Sequence, residues 1–461
     1  MSSDSDWYIE EFCHADLGDE RLNSRLLTIV GNMSKQPSSS INVASGSFSE
    51  AKSAYRFFAN PSITSEALLV PHQEQALRRS SKEDLILAIQ DSTTFNFSSH
   101  PATTGLGSIG TSHNYNISGL NVHTTIGLSL SGTPLGIINQ QMWARSKETK
   151  NRATQNIKDK ESYKWLSALE ETKHFEQEAR TQVVTVADRE SDIYEFLQTA
   201  EEQKASYVIR ARFDRKLFGE SRAKAPTISS YLDQGPLEPA SYDIEVPIGR
   251  DITKKRKTRL EVRYKEICLR PPNLRPEATE RPLTPLIVTA IIAKEKTPPP
   301  GEKPIHWTLL TNIEVNTFED VQERIRWYSL RWQIEVYHKI LKSGLKIEEC
   351  RLNEGEKLKK YATLCSVVGW KLHELTRLSR VTPEEPCTKL LTESEWKMLY
   401  AFIHKSKKLP STPPSIGQAT IWIAQMGGYL NRKRDPPPGV TVIWRGMQRL
   451  SDMTITWEIL N

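Results

Sequence analysis

The chemistry this sequence offers rests on three acidic residues. Asp91 ends the apolar run that begins Leu85-Ile86-Leu87-Ala88-Ile89, and Asp188 ends Val183-Val184-Thr185-Val186-Ala187. Runs of that length suit buried strands, and a carboxylate at the C-terminal end of such a strand emerges from the sheet edge into a crevice. An aspartate there also serves as a turn or cap residue, and Thr93 and Thr94 after Asp91 suit that role. The second position is more crowded, because Asp188-Arg189-Glu190-Ser191-Asp192 gathers acids that repel one another unless a cation or an arginine neutralises them. The third acid is Glu335. Tyr328, Arg331, Glu335, Lys339 and Lys342 fall at offsets of 3, 7, 11 and 14 from the tyrosine, and at about 100° per residue they share one stripe of a helix. A carboxylate flanked by a phenol and cations is either a solvated face with i,i+4 ion pairs or a catalytic one. Bulky Trp332, Ile334, Tyr337 and Leu341 opposite argue against a plain outer helix.

The elements that must position these residues are legible in outline. Leu17 to Met33 and Ser49 to Phe58 have helical apolar spacing, the second stopping at Asn60-Pro61. Short strand patterns follow at residues 85 to 91, in a pair around Ser131-Gly-Thr-Pro134, at 183 to 187 and at Ser206 to Ala211, with helices at Asp159 to Glu178 and Ser191 to Glu201. This order predicts an α/β layer architecture, a mixed sheet with flanking helices. Residues of about 215–315 read as a β-rich insertion with strands at Ser241 to Pro247, Thr258 to Cys268, Leu286 to Ile292 and His306 to Leu310, a proline-dense loop and the basic run Lys254 to Lys257. One long helix is expected from Thr317 to Leu341, another over Glu356 to Arg377, and further helices at Glu393 to His404 and Ile416 to Met426, the last capped by Gly427-Gly428.

Composition bounds the setting. A chain of 461 residues has room for two or three domains. Its net charge of +6 is modest, so only local clusters of positive charge are informative. Five scattered cysteines without a C-x-x-C pair argue against a disulfide framework and a zinc site, and fit a reducing cytosol. No stretch approaches the roughly 18 apolar residues of a membrane span, and the acidic start Met1-Ser-Ser-Asp-Ser-Asp6 is unlike a signal peptide. A cytoplasmic protein is expected.

The stretch Tyr328-Ser-Leu-Arg331-Trp332-Gln-Ile-Glu335-Val-Tyr-His338-Lys339-Ile-Leu-Lys342 resembles the Tyr, Arg, Glu and Lys signature of the DDE transposases of the insertion-sequence-four group, and within it the transposon-five branch. Asp188-Arg189-Glu190-Ser191-Asp192-Ile193 matches the setting of that family's second acid, and Asp91-Ser-Thr-Thr follows a strand as its first acid does. Gly18-Asp19-Glu20-Arg21, Ala54-Tyr55-Arg56-Phe57-Phe58, Lys164-Trp165-Leu166, Val208-Ile209-Arg210, Trp307 before Leu309-Leu310-Thr311, and Met426-Gly427-Gly428 extend the likeness over most of the chain.

The resemblance implies an RNase H-like fold with a β-rich insertion, a helical transposon-end-binding domain at 1–75, a catalytic domain at 76–375 and a helical dimerisation domain at 376–461. It implies that Asp91, Asp188 and Glu335 hold two Mg²⁺ or Mn²⁺ ions, hard cations that prefer oxygen ligands, and that the bacterial, nucleoid-associated enzyme cuts and pastes DNA through a hairpin intermediate. Arg210, Tyr328, Arg331 and Lys342 are carried over as phosphate holders, with Lys339 and Arg189 beside them. Trp307 is carried over as the platform for a flipped base, with Trp332 lining the same pocket, and Arg21, Arg25 and Arg56 as contacts to the transposon end. The partners implied are double-stranded DNA, both transposon ends and target, and a second copy of the chain in the DNA complex, through Ile416 to Met426 and Val442 to Met453. The rivals are a metal nuclease of the same fold, a non-catalytic DNA-binding relative and a two-carboxylate glycosidase. The last gives no reason for the cations beside Glu335.

Overall fold

The computed structural model describes residues 7–112, 115–146, 156–219, 221, 224–233, 240–246, 256–273 and 282–460. Five helices come first: α1 (Trp7–Glu11), α2 (Glu20–Lys35), α3 (Ile41–Ala44), α4 (Phe48–Ala59) and α5 (Ser65–Ser80). Side-chain caps start four of them, Asp19 for α2, Ser40 for α3, Ser47 for α4 and Thr64 for α5, each accepting from a backbone N–H that the helix leaves orphaned.

The strands are β1 (Leu85–Asn96), β2 (Gly107–Ser112), β3 (Tyr115–Ser129), β4 (Pro134–Trp143), β5 (Gln182–Ala187), β6 (Ser206–Arg210), β7 (Ala240–Val246), β8 (Arg256–Leu269), β9 (Leu286–Glu295) and β10 (His306–Thr311). All ten form one mixed sheet in the order β2-β3-β1-β5-β6-β10-β9-β8-β7, with β4 also paired to β3. Among the described residues, only the β1–β5 and β5–β6 strand pairs are parallel. These central strands are apolar on both faces because helices cover both. Leu87, Ile89, Val184 and Val186 join one core with Ile325, Ile334 and Tyr337, while Ile86, Ala88 and Val183 face Phe175 and Ala179 on the other side.

Helices α6 (Tyr163–Ala179), α7 (Tyr194–Glu202) and α8 (Ile228–Asp233) lie between the strands in sequence. After β10 come α9 (Phe318–Leu330), α10 (Trp332–Lys339), α11 (Gly355–Val381), α12 (Glu393–His404), α13 (Ile416–Met426) and α14 (Val440–Leu460). The expected α/β layering is present, and the inserted strands extend the same sheet, since β10 pairs antiparallel with β6. Of the basic run, residues 254 and 255 lie outside the described residues, while Lys257 is an exposed residue of β8.

Three expectations need correction. β1 does not end on Asp91 but runs on to Asn96, because β3 keeps pairing with it as far as Asn96↔Gly119; Thr93 and Thr94 are strand residues, not a turn. β2 was not foreseen from its Gly- and Ser-rich sequence. The single long helix after Thr317 is divided at Arg331, where Arg331 N–H bonds to Tyr328 and Ile334 N–H to Arg331, tight i→i−3 bonds. Beyond α10 the chain widens into a π turn over Ile340–Gly344. α11 follows from Gly355 to Val381. The apolar residues of α13, Ala419, Trp422 and Ile423 among them, are buried in a core shared with Ile443 and Leu450 of α14. The two helices approach so closely that a Cβ on Gly446 would lie 1.8 Å from the Ile423 carbonyl oxygen.

Candidate active site

The parallel register decides the geometry. Pairing of β1 with β5 stops at Gln90↔Ala187, and pairing of β5 with β6 at Ala187↔Ile209. Asp91, Asp188 and Arg210 are therefore the next residues along three adjacent strands, all just past the C-terminal limit of the parallel pairing, where an open α/β sheet leaves a crevice. The Thr317 capping box starts α9 after β10, and α10 then packs against β1, carrying Glu335 to the same place.

Arg331 sits among the acids. Its Nη1 lies 3.6 Å from Oδ2 of Asp91, and its Nη2 donates to Oε1 of Glu335. Burial pushes the Asp91 carboxyl up to about 7; Arg331 works against that rise, while the charges of Asp188 and Glu335 add to it. Asp91 thus feels the charge of both other acids. Burial disfavours the charge of Arg331, but Tyr328, Asp91 and Glu335 outweigh it and hold the guanidinium protonated more firmly than usual. Asp188 also keeps the humbler role foreseen for it, since Oδ1 accepts from the Glu190 N–H at 2.9 Å and caps a short 3₁₀ turn.

Cations and aromatics border the acids. Burial raises the phenol of Tyr328, which lies within the electrostatic reach of Arg331, Arg210 and Asp188. Arg210 donates to the His306 carbonyl at 2.8 Å. Trp307, half-buried, meets Tyr328 edge to face at 5.0 Å between centroids. Lys342 is half-buried and its ammonium is lowered by burial, whereas Lys339 and Arg189 are exposed and Trp332 is half-buried. His338 is buried and burial pushes it down to about 3, so it is a neutral core imidazole. Arg21, Arg25 and Arg56 belong to the N-terminal helices α2 and α4; Arg21 is 91% exposed and paired with Asp19.

Two features escaped sequence reasoning. The acidic run is largely neutralised within the fold: Asp192 is buried, accepting from Arg215 and from the Arg212 and Phe213 N–H groups, and Glu190 lies 3.6 Å from Lys164. Ser92, beside Asp91, hydrogen-bonds with Nδ1 of fully buried His123 at 3.0 Å. Neither partner is near in sequence, so no local pattern announces it.

A set of carboxylate oxygens with charge left uncompensated suits a hard divalent cation. Among the described residues no group of three His, Cys, Asp or Glu side chains is already gathered as a cage; the Arg331 guanidinium lies between Asp91 and Glu335 instead. No helix among the described residues is long and apolar enough to cross a membrane.

Comparison with known families bears on the fold and the activity. The family described as "Transposase DDE domain" matches residues 86–368, more than half of the chain. "Transposase DNA-binding" matches residues 4–63 and "Transposase Tn5 dimerisation domain" residues 367–456. The sheet with its flanking helices is the RNase H-like fold of the DDE domain, a family that works with divalent metal ions, and the flanking matches carry DNA binding and dimer formation. The chain belongs to the DDE transposase family: it is an enzyme that cleaves DNA and transfers its strands.

Proposed function

We propose that this transposase moves its element by cut and paste, with Asp91, Asp188 and Glu335 as the catalytic acids. The observation that carries this reading is that the charges of Asp188 and Glu335 both act on buried Asp91 at one end of the parallel strands, with Arg210, Tyr328 and Arg331 beside them. The acids would hold two Mg²⁺ or Mn²⁺ ions, which when bound activate an attacking oxygen and stabilise the leaving one at phosphorus. Water attacks a phosphodiester at the transposon end and frees a 3′-hydroxyl. That hydroxyl attacks the opposite strand to form a hairpin, water opens the hairpin, and the 3′ end joins target DNA. Each step exchanges one phosphodiester oxygen for another, so the protein needs no covalent intermediate.

The remaining residues hold the strand. Arg331 suits two tasks, neutralising Asp91 and Glu335 in the free protein and offering a planar fork to phosphate oxygens. Arg210, Lys342, Lys339 and Arg189 add positive charge along the backbone. Trp307 offers an aromatic face to a base turned out of the hairpin, Trp332 lines that pocket, and Arg21, Arg25 and Arg56 contact the transposon end. In this reading residues 1–75 bind the end, 76–375 catalyse and 376–461 pair two copies on DNA. A strand-transfer assay with end-containing duplex and Mg²⁺ tests it: cleavage without joined product would make the protein a nuclease of the same fold.

A further inference from the structure

The loop that leaves β6 carries two phenylalanines that the core does not use. Phe213 is 54% exposed and Phe218 52% exposed, in a stretch that starts just past Arg210 at the active-site end of the sheet. The backbone beneath the first ring is pinned. The Arg212 and Phe213 N–H groups both donate to Oδ2 of buried Asp192, at 2.8 and 3.0 Å, and Arg215 holds the other carboxylate oxygen through Nε at 3.0 Å. Guanidinium carbons of Arg212 and Arg215 lie 5.5 and 5.6 Å from the Phe213 centroid, and that of Arg270 lies 5.5 Å from the Phe218 centroid.

We propose that Phe213, held outward by Asp192 and flanked by Arg212 and Arg215, is a stacking platform for an unpaired nucleobase of a DNA strand leaving the active-site crevice. A rigid aromatic face stacks on any base, and exposed Arg212 beside it meets a neighbouring phosphate, while Arg215 stays bound to Asp192. The buried carboxylate supplies the preorganisation, since a backbone already pinned loses little freedom when the base arrives. Phe218, beside Arg270, extends the surface along the same loop. The proposal rests on the DNA-processing reading of the neighbouring acids, and it concerns a single strand, not the duplex.

The test compares the full-length protein, in chelator so that nothing is cut, on a blunt transposon-end duplex and on the same duplex with a short unpaired extension carrying 2-aminopurine. The wild type should bind the extended duplex more tightly, by roughly five- to a hundredfold for one stacked base, and quench the 2-aminopurine. Phe213→Ala should erase the preference and the quenching, and Phe213→Trp should retain both. A Phe213→Ala protein that keeps preference and quenching overturns the platform, as does a wild type that binds both duplexes equally; in those cases the reading of the acids stands. A wild type that binds neither duplex overturns both.

Discussion

Nη1 of Arg331 lies 3.6 Å from Oδ2 of Asp91, so a cation at the junction of α9 and α10 pairs with an acid of the central sheet. The same guanidinium holds Glu335, and all three side chains are largely withdrawn from water, at 14, 19 and 33% exposure for Arg331, Asp91 and Glu335. Removing it leaves like charges facing one another in a partly buried crevice. Arg331→Met should therefore lower stability in chelator by roughly 1 to 3 kcal/mol, and Mn²⁺ or Mg²⁺ should raise its melting temperature more than that of the wild type. Thermal melts with and without metal check this; an equal response in both proteins would remove Arg331 as the counter-charge.

Glu335→Gln and Asp188→Asn each take away one carboxylate charge and keep the side chain's shape. If these acids hold the ions, strand cleavage should fall by at least about a thousandfold, a loss of several kcal/mol of transition-state stabilisation. Gel-shift affinity for end DNA should stay close to wild type. Retained nicking would exclude the substituted residue from the catalytic set.

Trp307 meets Tyr328 edge-on yet keeps part of its ring exposed. Trp307→Ala should slow hairpin formation by roughly five- to a hundredfold, the worth of one base stacked on an aromatic ring, while first-strand nicking is little changed. Time courses of nicked and hairpin products distinguish this from packing alone, which would slow both steps alike.

Far from the acids in sequence, Glu11 of α1 ties the N-terminal helices to the body of the protein. It accepts from Nδ1 of buried His72 and from both terminal nitrogens of Arg79, and Nε2 of His72 accepts from the Ile137 N–H at 2.8 Å, which puts the imidazole proton on the side of Glu11. Burial alone would raise this carboxyl, but His72 and Arg79 outweigh burial and bring it down to about 2, from an ordinary 4.5. A depressed carboxyl stabilises the fold fully above about pH 4.5, and that contribution drains away as pH falls towards 2. Glu11→Gln should cost roughly 1.5 to 3 kcal/mol at pH 7, with a gap to wild type that narrows below pH 4.5. Denaturant titrations at pH 7 and pH 3 measure it; a gap of constant size would contradict the assignment.

Much of the fold is legible because it rests on local periodicity. The apolar runs at 85–89 and 183–187 became central strands, and α12 and α13 occupy the ranges their spacing predicts. The long helix carrying Glu335 was read as continuous because apolar spacing cannot reveal one tight turn at Arg331 followed by a π turn near Lys342. The acidic run after Asp188 looked self-repelling because Arg215, which neutralises Asp192, lies 23 residues away.

What the sequence alone determined was the inventory: three acids, the cations and aromatics spaced around Glu335, and the strands and helices on which they ride. What only the tertiary structure decided was their company. Asp91 and Asp188 stand side by side because β1 and β5 are parallel and in register, and Arg331 reaches Asp91 because α10 packs on β1. Strand pairing and helix packing join residues hundreds of positions apart through complementary surfaces, and no window of local sequence contains both halves of such a contact.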